Sequence, residues 1–253
     1  MKYLAIGNSF SVDSLEFLYD VLTSSGEKDV VLSVMYIGGC SLDMHAQNAE
    51  GDLPAYEQFI NCSGEWECIP NRKLSDALSQ GEWDVVSLQQ QSGASGNPEK
   101  FGKLPSLIEY VKKFQPKAKL FWNMTWAYPT GSNVEFDFDR YGRDRNVMYR
   151  AITQTAQEFV LKNHSFDGFF PTGTAVENAW QTYGDGLYRD GLHLGYGVGR
   201  FLAAMTLGRV LTGRSPSFGR LPVGVTEEDV RVCSACVEHA VRNPFAVTEK
   251  EGV

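Results

Sequence analysis

Histidine and cysteine are scarce in this sequence, with four and five copies among 253 residues. An odd number of cysteines leaves no complete disulfide framework. Cys233-x-x-Cys236 has the spacing of half a zinc site, but it falls inside a helical pattern, and Cys40, Cys62 and Cys68 supply no matching second pair. Buried, reduced thiols are the expectation, with no metal and no cofactor. A Cys62–Cys68 pairing in an oxidising compartment stays open. Basic residues are outnumbered, 23 Lys and Arg against 31 Asp and Glu, for a net charge of −8. A surface of that sign repels phosphate backbones and anionic lipids, so neither nucleic acid nor a membrane is an expected partner.

Long apolar runs are missing as well. Nothing approaches the roughly 18 residues that a membrane helix needs. The opening Tyr3-Leu4-Ala5-Ile6 is interrupted at once by Gly7-Asn8, which is too short for the apolar core of a signal peptide, so the expected location is cytoplasmic. Glycine is plentiful, yet there is no Gly-Lys-Ser/Thr and no Gly-x-Gly-x-x-Gly after the first apolar run, so nucleotide binding is unsupported. No Ser/Gly/Pro-rich linker, repeat or low-complexity stretch divides the chain. One domain over residues 1–253 is expected, with its oligomeric state open.

Apolar residues make up 43% of the chain, enough for a large core. Strands are predicted at 3–6, 30–36, 85–88, 119–124 and 166–170. Several of these are nearly unbroken apolar runs rather than alternations, as in strands covered on both faces. Helices are predicted at 12–24, 41–60, 98–114, 141–163, 197–211 and 226–241. Alternating strands and helices imply an α/β fold, a mostly parallel sheet between two helical layers. Residues 61–71 fit neither pattern and suggest a small hairpin or excursion.

Two segments carry chemistry. The run Tyr3–Ile6 ends at Gly7-Asn8-Ser9-Phe10-Ser11, and a helical pattern starts almost immediately. Ser9 therefore sits on a sharp strand-to-helix turn, exposed at the carboxyl edge of the sheet, as a nucleophile requires. A plain helix N-cap is the competing use of a serine there. Asp13 and Glu16 read as charges complementing the helix start. At the far end stands Tyr188-Arg189-Asp190-Gly191-Leu192-His193-Leu194-Gly195. A tight turn would fold the Asp190 carboxylate onto the His193 imidazole, fixing its tautomer for use as a base. A structural loop is the competing reading. His45 sits in a polar helix start, while His164 and His239 read as solvated.

In these two segments the chain resembles the SGNH (GDSL-type) hydrolases. Gly7-Asn8-Ser9-Phe10-Ser11 stands where that family has Gly-Asp-Ser-Leu-Ser, and Asp190–His193 matches its closing Asp-x-x-His. The resemblance runs from residue 3 to about 211. It is narrower still to a bacterial branch with Gly-Asn-Ser-Phe-Ser, Leu-Gln-x-x-Ser and Asp-Gly-x-His-Leu. It implies a three-layer α/β/α sandwich around a flavodoxin-like five-stranded sheet. The implied chemistry is a serine esterase with Ser9, His193 and Asp190 as its triad.

The resemblance also implies an oxyanion hole built from the Ser9 N–H, a glycine N–H and a side-chain amide. Ile37-Gly38-Gly39-Cys40-Ser41 supplies the glycine, with Gly39 favoured over Gly38. The family's Gly-x-Asn-Asp block is absent after 85–88, where Gln89-Gln90-Gln91-Ser92 stands instead. Glutamine carries the same amide donor. Gln89 is the expected donor and Gln91 the alternative.

Trp122, Trp126, Tyr128 and Phe136 gather in or near the loop that follows the fourth predicted strand. Asn8, Trp126 and Tyr128 are the candidate substrate-binding residues, the aromatics as a stacking surface for a sugar. Pro171-Thr172-Gly173-Thr174-Ala175 is expected to shape a wall of the site. The expected partner is a small ester, an O-acetyl group on a carbohydrate being the first candidate. The competing functions are an acyltransferase or an amide or thioester hydrolase using the same residues, and a catalytically silent sugar-binding module.

Overall fold

The computed structural model describes residues 1–135 and 137–248. The first strand, β1 (Lys2–Gly7), is buried at every position after Lys2. It leads through α1 (Ser9–Leu15) and α2 (Leu18–Ser24) to β2 (Val31–Tyr36). The predicted helix 12–24 is thus two short helices.

The predicted helix 41–60 is corrected by the structure. Ser41 caps α3 (Leu42–Glu50) by accepting the Met44 N–H at 3.3 Å. The helix stops at Gly51, and Asp52 turns with φ +47° just before Pro54, which cannot continue a helix. The chain then forms an antiparallel hairpin, β3 (Tyr56–Asn61) and β4 (Trp66–Arg72). After α4 (Leu74–Leu78) come β5 (Val85–Leu88), α5 (Leu104–Phe114), β6 (Lys119–Asn123), α6 (Arg145–Ala156), β7 (Gly168–Phe170), α7 (Thr172–Tyr183), α8 (Val198–Thr212) and α9 (Glu227–Arg242).

The sheet therefore has seven strands, not five, in the order β4-β3-β2-β1-β5-β6-β7. The five strands read from the sequence are its parallel part, and the hairpin extends it antiparallel beyond β2. The fold is α/β, a mostly parallel sheet with helices on both faces. Alternate residues of β1 serve opposite layers. Tyr3 and Ala5 join the cluster of Leu15, Leu18, Leu22 and Leu207 from α1, α2 and α8. Leu4 and Ile6 join the cluster that includes Leu42, Leu104 and Leu107 from α3 and α5.

Chain direction around β1 decides where a site can form. The chain moves from β1 to β2 on one side, and later to β5 on the other. The crevice at the carboxyl ends of β1 and β5 is therefore the switch point of the parallel sheet, where open α/β sheets bind ligands. Among the described residues no helix is long and apolar enough to cross a membrane. All five cysteines are free, with Cys62 and Cys68 exposed and unjoined. Burial pushes the thiols of Cys233 and Cys236 up, the latter to about 11.

Candidate active site

Ser9 is the first residue of α1, immediately beyond β1. The turn that places it depends on Gly7. A Cβ on Gly7 would collide with the Ser11 hydroxyl and crowd the Gln89 side chain, so only glycine lets the strand end so close to its neighbours. Asn8 fixes the other side of the turn. Its Oδ1 accepts the Phe10 N–H at 3.0 Å, and its Nδ2 donates to the Cys40 carbonyl at 3.0 Å. One side chain thus caps the Ser9 helix and ties the glycine turn after β2 to it.

Ser9 and His193 meet across 184 residues, with Ser9 Oγ 2.8 Å from His193 Nε2. On the far side of the ring, His193 Nδ1 lies 2.8 Å from Asp190 Oδ2. Asp190 Oδ1 accepts the N–H groups of Leu192 at 2.9 Å and His193 at 2.8 Å. Burial works against ionising Asp190, but these two N–H groups and the imidazole outweigh it and hold the carboxyl below the usual carboxylate range.

The loop carrying Asp190 and His193 is held from two sides. On one side is Asp13 of α1, whose carboxylate is fully buried. It accepts the Leu194 N–H at 2.9 Å and pairs with Arg189 at 3.0 Å and Arg200 at 2.5 Å. Arg189 also donates to the Leu194 carbonyl at 2.7 Å. On the other side, Trp126 Nε1 donates to the Leu192 carbonyl at 2.9 Å, and Ser132 Oγ to that of Gly191 at 2.7 Å. Sequence reasoning gave Asp13 only a helix-start role. Its signal was its phase, one helical turn beyond Ser9 and on the same face.

The expected substrate-stacking role of Trp126 and Tyr128 is corrected: neither ring reaches a surface. Trp126 stacks on Phe10 at 4.0 Å between centroids and 6° between planes, and Tyr128 meets the Ser92 hydroxyl at 2.7 Å. Both are packing residues, and Trp126 steadies the His193 loop through Leu192. Trp122 packs against Phe101 and Phe166. Phe136 lies outside the described residues. The 171–175 segment begins α7 rather than walling the site, and Thr172 donates to the buried Asn123 amide at 2.7 Å.

A cavity of about 240 Å³ opens over Ser9 and His193, lined also by Asn8, Tyr36, Gly38, Gly39, Gln91, Ser92 and Leu192. Tyr36 and Leu192 were not singled out in the sequence. Gly38 and Gly39 both reach the cavity, and Gly39 turns at φ +62°, the left-handed region that favours glycine.

Gln89 does not line this cavity, a correction to its expected role as amide donor. Its Nε2 donates to Asn8 Oδ1 at 2.7 Å, and its Oε1 accepts the Ser11 hydroxyl at 2.7 Å. It is a buried strut between β5 and the Ser9 turn. Gln91 takes the place at the cavity, with its Oε1 fixed by the Ala94 N–H at 2.8 Å. A larger cavity of about 880 Å³ lies near the amino ends of β5 and β6, beside Trp83, Asp84 and Lys119, and holds none of the candidate residues.

A family model described as a domain of unknown function (DUF4886) matches residues 2–216. The crystal structure of a DUF4886 family protein from Bacteroides uniformis superposes with a TM-score of 0.92 at 32% identity, covering 99% of this chain and 98% of that one. A protein from Slackia heliotrinireducens, provisionally assigned as an SGNH hydrolase, superposes with a TM-score of 0.53 at 22% identity, over 83% of this chain and 98% of that one. A protein from Parabacteroides merdae, provisionally assigned as a GDSL-like lipase, does so with a TM-score of 0.54 at 14% identity, over 83% and 94%. The last two likenesses show a shared fold. No protein of curated function matches the chain.

Proposed function

The chain belongs to the DUF4886 family, and we propose that it is a serine hydrolase that cleaves short-chain carboxylic esters. The observation that carries this reading is the unbroken line from Ser9 Oγ through His193 to Asp190, with both contacts at 2.8 Å. Three side chains from opposite ends of the sequence meet in this order at the switch point of the sheet. A helix N-cap needs no imidazole on its hydroxyl, and a capping aspartate needs none on its carboxylate.

In this reading Ser9 Oγ attacks the acyl carbon while His193 Nε2 takes its proton. The carbonyl electrons move onto oxygen, and Asp190 balances the imidazolium. The N–H groups of Ser9 and of Gly38 or Gly39, with the Gln91 amide, supply hydrogen bonds to that oxygen. Donors of this kind each contribute about 3–4 kcal/mol to the barrier reduction. The adduct collapses, the C–O bond to the alcohol breaks, and His193 protonates the departing oxygen. Water then attacks the acyl-serine, giving its proton to His193. Ser9 Oγ recovers that proton as the carboxylic acid leaves.

The apolar side chain of Leu192 and the cavity volume of about 240 Å³ support a short acyl group. The burial of Trp126 and Tyr128 takes away the stacking argument for a sugar. The reading is tested with a fluorophosphonate probe and peptide mass spectrometry. The expected adduct is on Ser9 and disappears in His193→Ala. An adduct on another serine, or none, overturns it.

A further inference from the structure

A second hollow, of about 270 Å³, adjoins the one over Ser9. The two meet at Gly39 and Gln91, which line both. Their walls differ in kind. Tyr36, Leu192 and glycine backbone surround the serine. The second hollow carries the carboxylates of Asp43, Glu135 and Asp137 against a single cation, Lys100. None of the three carboxylates has an ion-pair partner among the described residues.

Gln91 stands at the junction. It is only 9% exposed, and its Oε1 is held by the Ala94 N–H. Its NH2 group has no protein partner among the described residues. That nitrogen stays open to solvent at the cavities, where a bound molecule can accept from it.

We infer that the hollow receives the alcohol half of the ester and selects an alcohol that bears an ammonium group. The inference rests on the serine hydrolase reading and extends it to substrate class. The two linings divide an ester between them. The short acyl group matches the apolar wall at Ser9, and the remaining half passes the Gly39–Gln91 junction into the acidic hollow. Three carboxylates facing one lysine attract a cation, leave a neutral alcohol unassisted and repel an anion.

The test compares two acetate esters of equal shape, choline acetate and its neutral isostere 3,3-dimethylbutyl acetate. At low ionic strength kcat/KM is expected to be at least about tenfold higher for the charged ester. Salt should narrow that ratio as it screens the carboxylates. The ratio should fall toward one in the combined variant Asp43→Asn, Glu135→Gln, Asp137→Asn, with thermal melting showing that the variant is folded. It should rise in Lys100→Met.

Equal kcat/KM for the two esters, with the Ser9 adduct still formed, overturns this inference and leaves the hydrolase reading standing. An adduct without cleavage of either ester overturns the inference as well. Loss of both cleavage and adduct overturns the hydrolase reading, and the inference with it.

Discussion

The buried carboxylate of Asp13 accepts the backbone N–H of Leu194 at 2.9 Å, one residue beyond His193 and one helical turn from Ser9. The helix that presents the hydroxyl therefore also grips the loop that presents the imidazole. Asp13→Asn keeps the shape but leaves Arg200, with 6% of its side chain exposed, only its pair with Glu16 at 2.7 Å. A buried charge left with no partner costs about 3–5 kcal/mol, and the remaining Glu16 pair brings the cost here below that. The expected outcome is a clear drop in melting temperature together with slower fluorophosphonate labelling of Ser9. Wild-type melting and labelling in this variant would show that the carboxylate does not support the loop.

Gln91 and Gln89 separate function from scaffold. Gln91→Ala removes a donor at the cavity, and kcat for a small chromogenic ester should fall about 10²–10³-fold with little change in stability. Gln89→Leu strands the buried Ser11 hydroxyl and leaves Asn8 Oδ1 with only the Phe10 N–H as donor. Each stranded buried group costs about 1–3 kcal/mol, so the melting temperature should fall. If Gln91→Ala were fully active and Gln89→Leu inactive but stable, the donor would be Gln89.

The parallel strands were legible because they are covered on both faces. Val85–Leu88 is buried at all four positions, and only Ser87 interrupts its apolar run. The hairpin was not legible. β3 alternates only loosely and β4 is exposed along most of its length, so no apolar stripe marks it. The α7 helix was missed for the opposite reason. Residues 172–179 are all buried, and an element buried all round shows no amphipathic period. Ser9, Asp190 and His193 could be read because short motifs hold them locally. Arg189 and Arg200 could not, and Asp13 only through its phase, because their pairing forms only when α1 folds against the distant 189–200 segment. Trp126 and Tyr128 were misjudged because composition marks aromatics without showing which way they face.

Asn8 holds a position where an aspartate would serve the helix cap equally well but not the rest of the turn. Its Oδ1 needs only to accept, from Phe10 and from Gln89. Its Nδ2 must donate, to the Cys40 carbonyl. Asn8→Asp puts an anionic oxygen against that carbonyl in a position 2% exposed. The expected cost is about 1–3 kcal/mol, with kcat reduced because the Gly38–Gly39 turn is no longer tied to Ser9. A variant as stable and as active as the wild type would show that this donated bond does not organise the site.

His45 links pH to stability away from the site. It is fully buried in α3, with Nδ1 3.0 Å from the Tyr56 hydroxyl and Nε2 unpartnered. Burial pushes its pKa down to about 3. In the unfolded chain the same imidazole protonates near 6.5. The unfolded state therefore takes up a proton that the folded state refuses. The stabilising effect is complete above pH 6.5 and is lost progressively as the pH falls from there toward 3, by up to about 1.4 kcal/mol per pH unit. His45→Gln retains polar atoms but cannot titrate. Urea unfolding of both proteins between pH 7 and 5 isolates this residue, since the other histidines and all carboxylates are common to the two. The wild type should lose stability more steeply than the variant below pH 6.5. Parallel curves would mean that His45 gains its proton in the folded state too, through an opening that lets water reach Nε2.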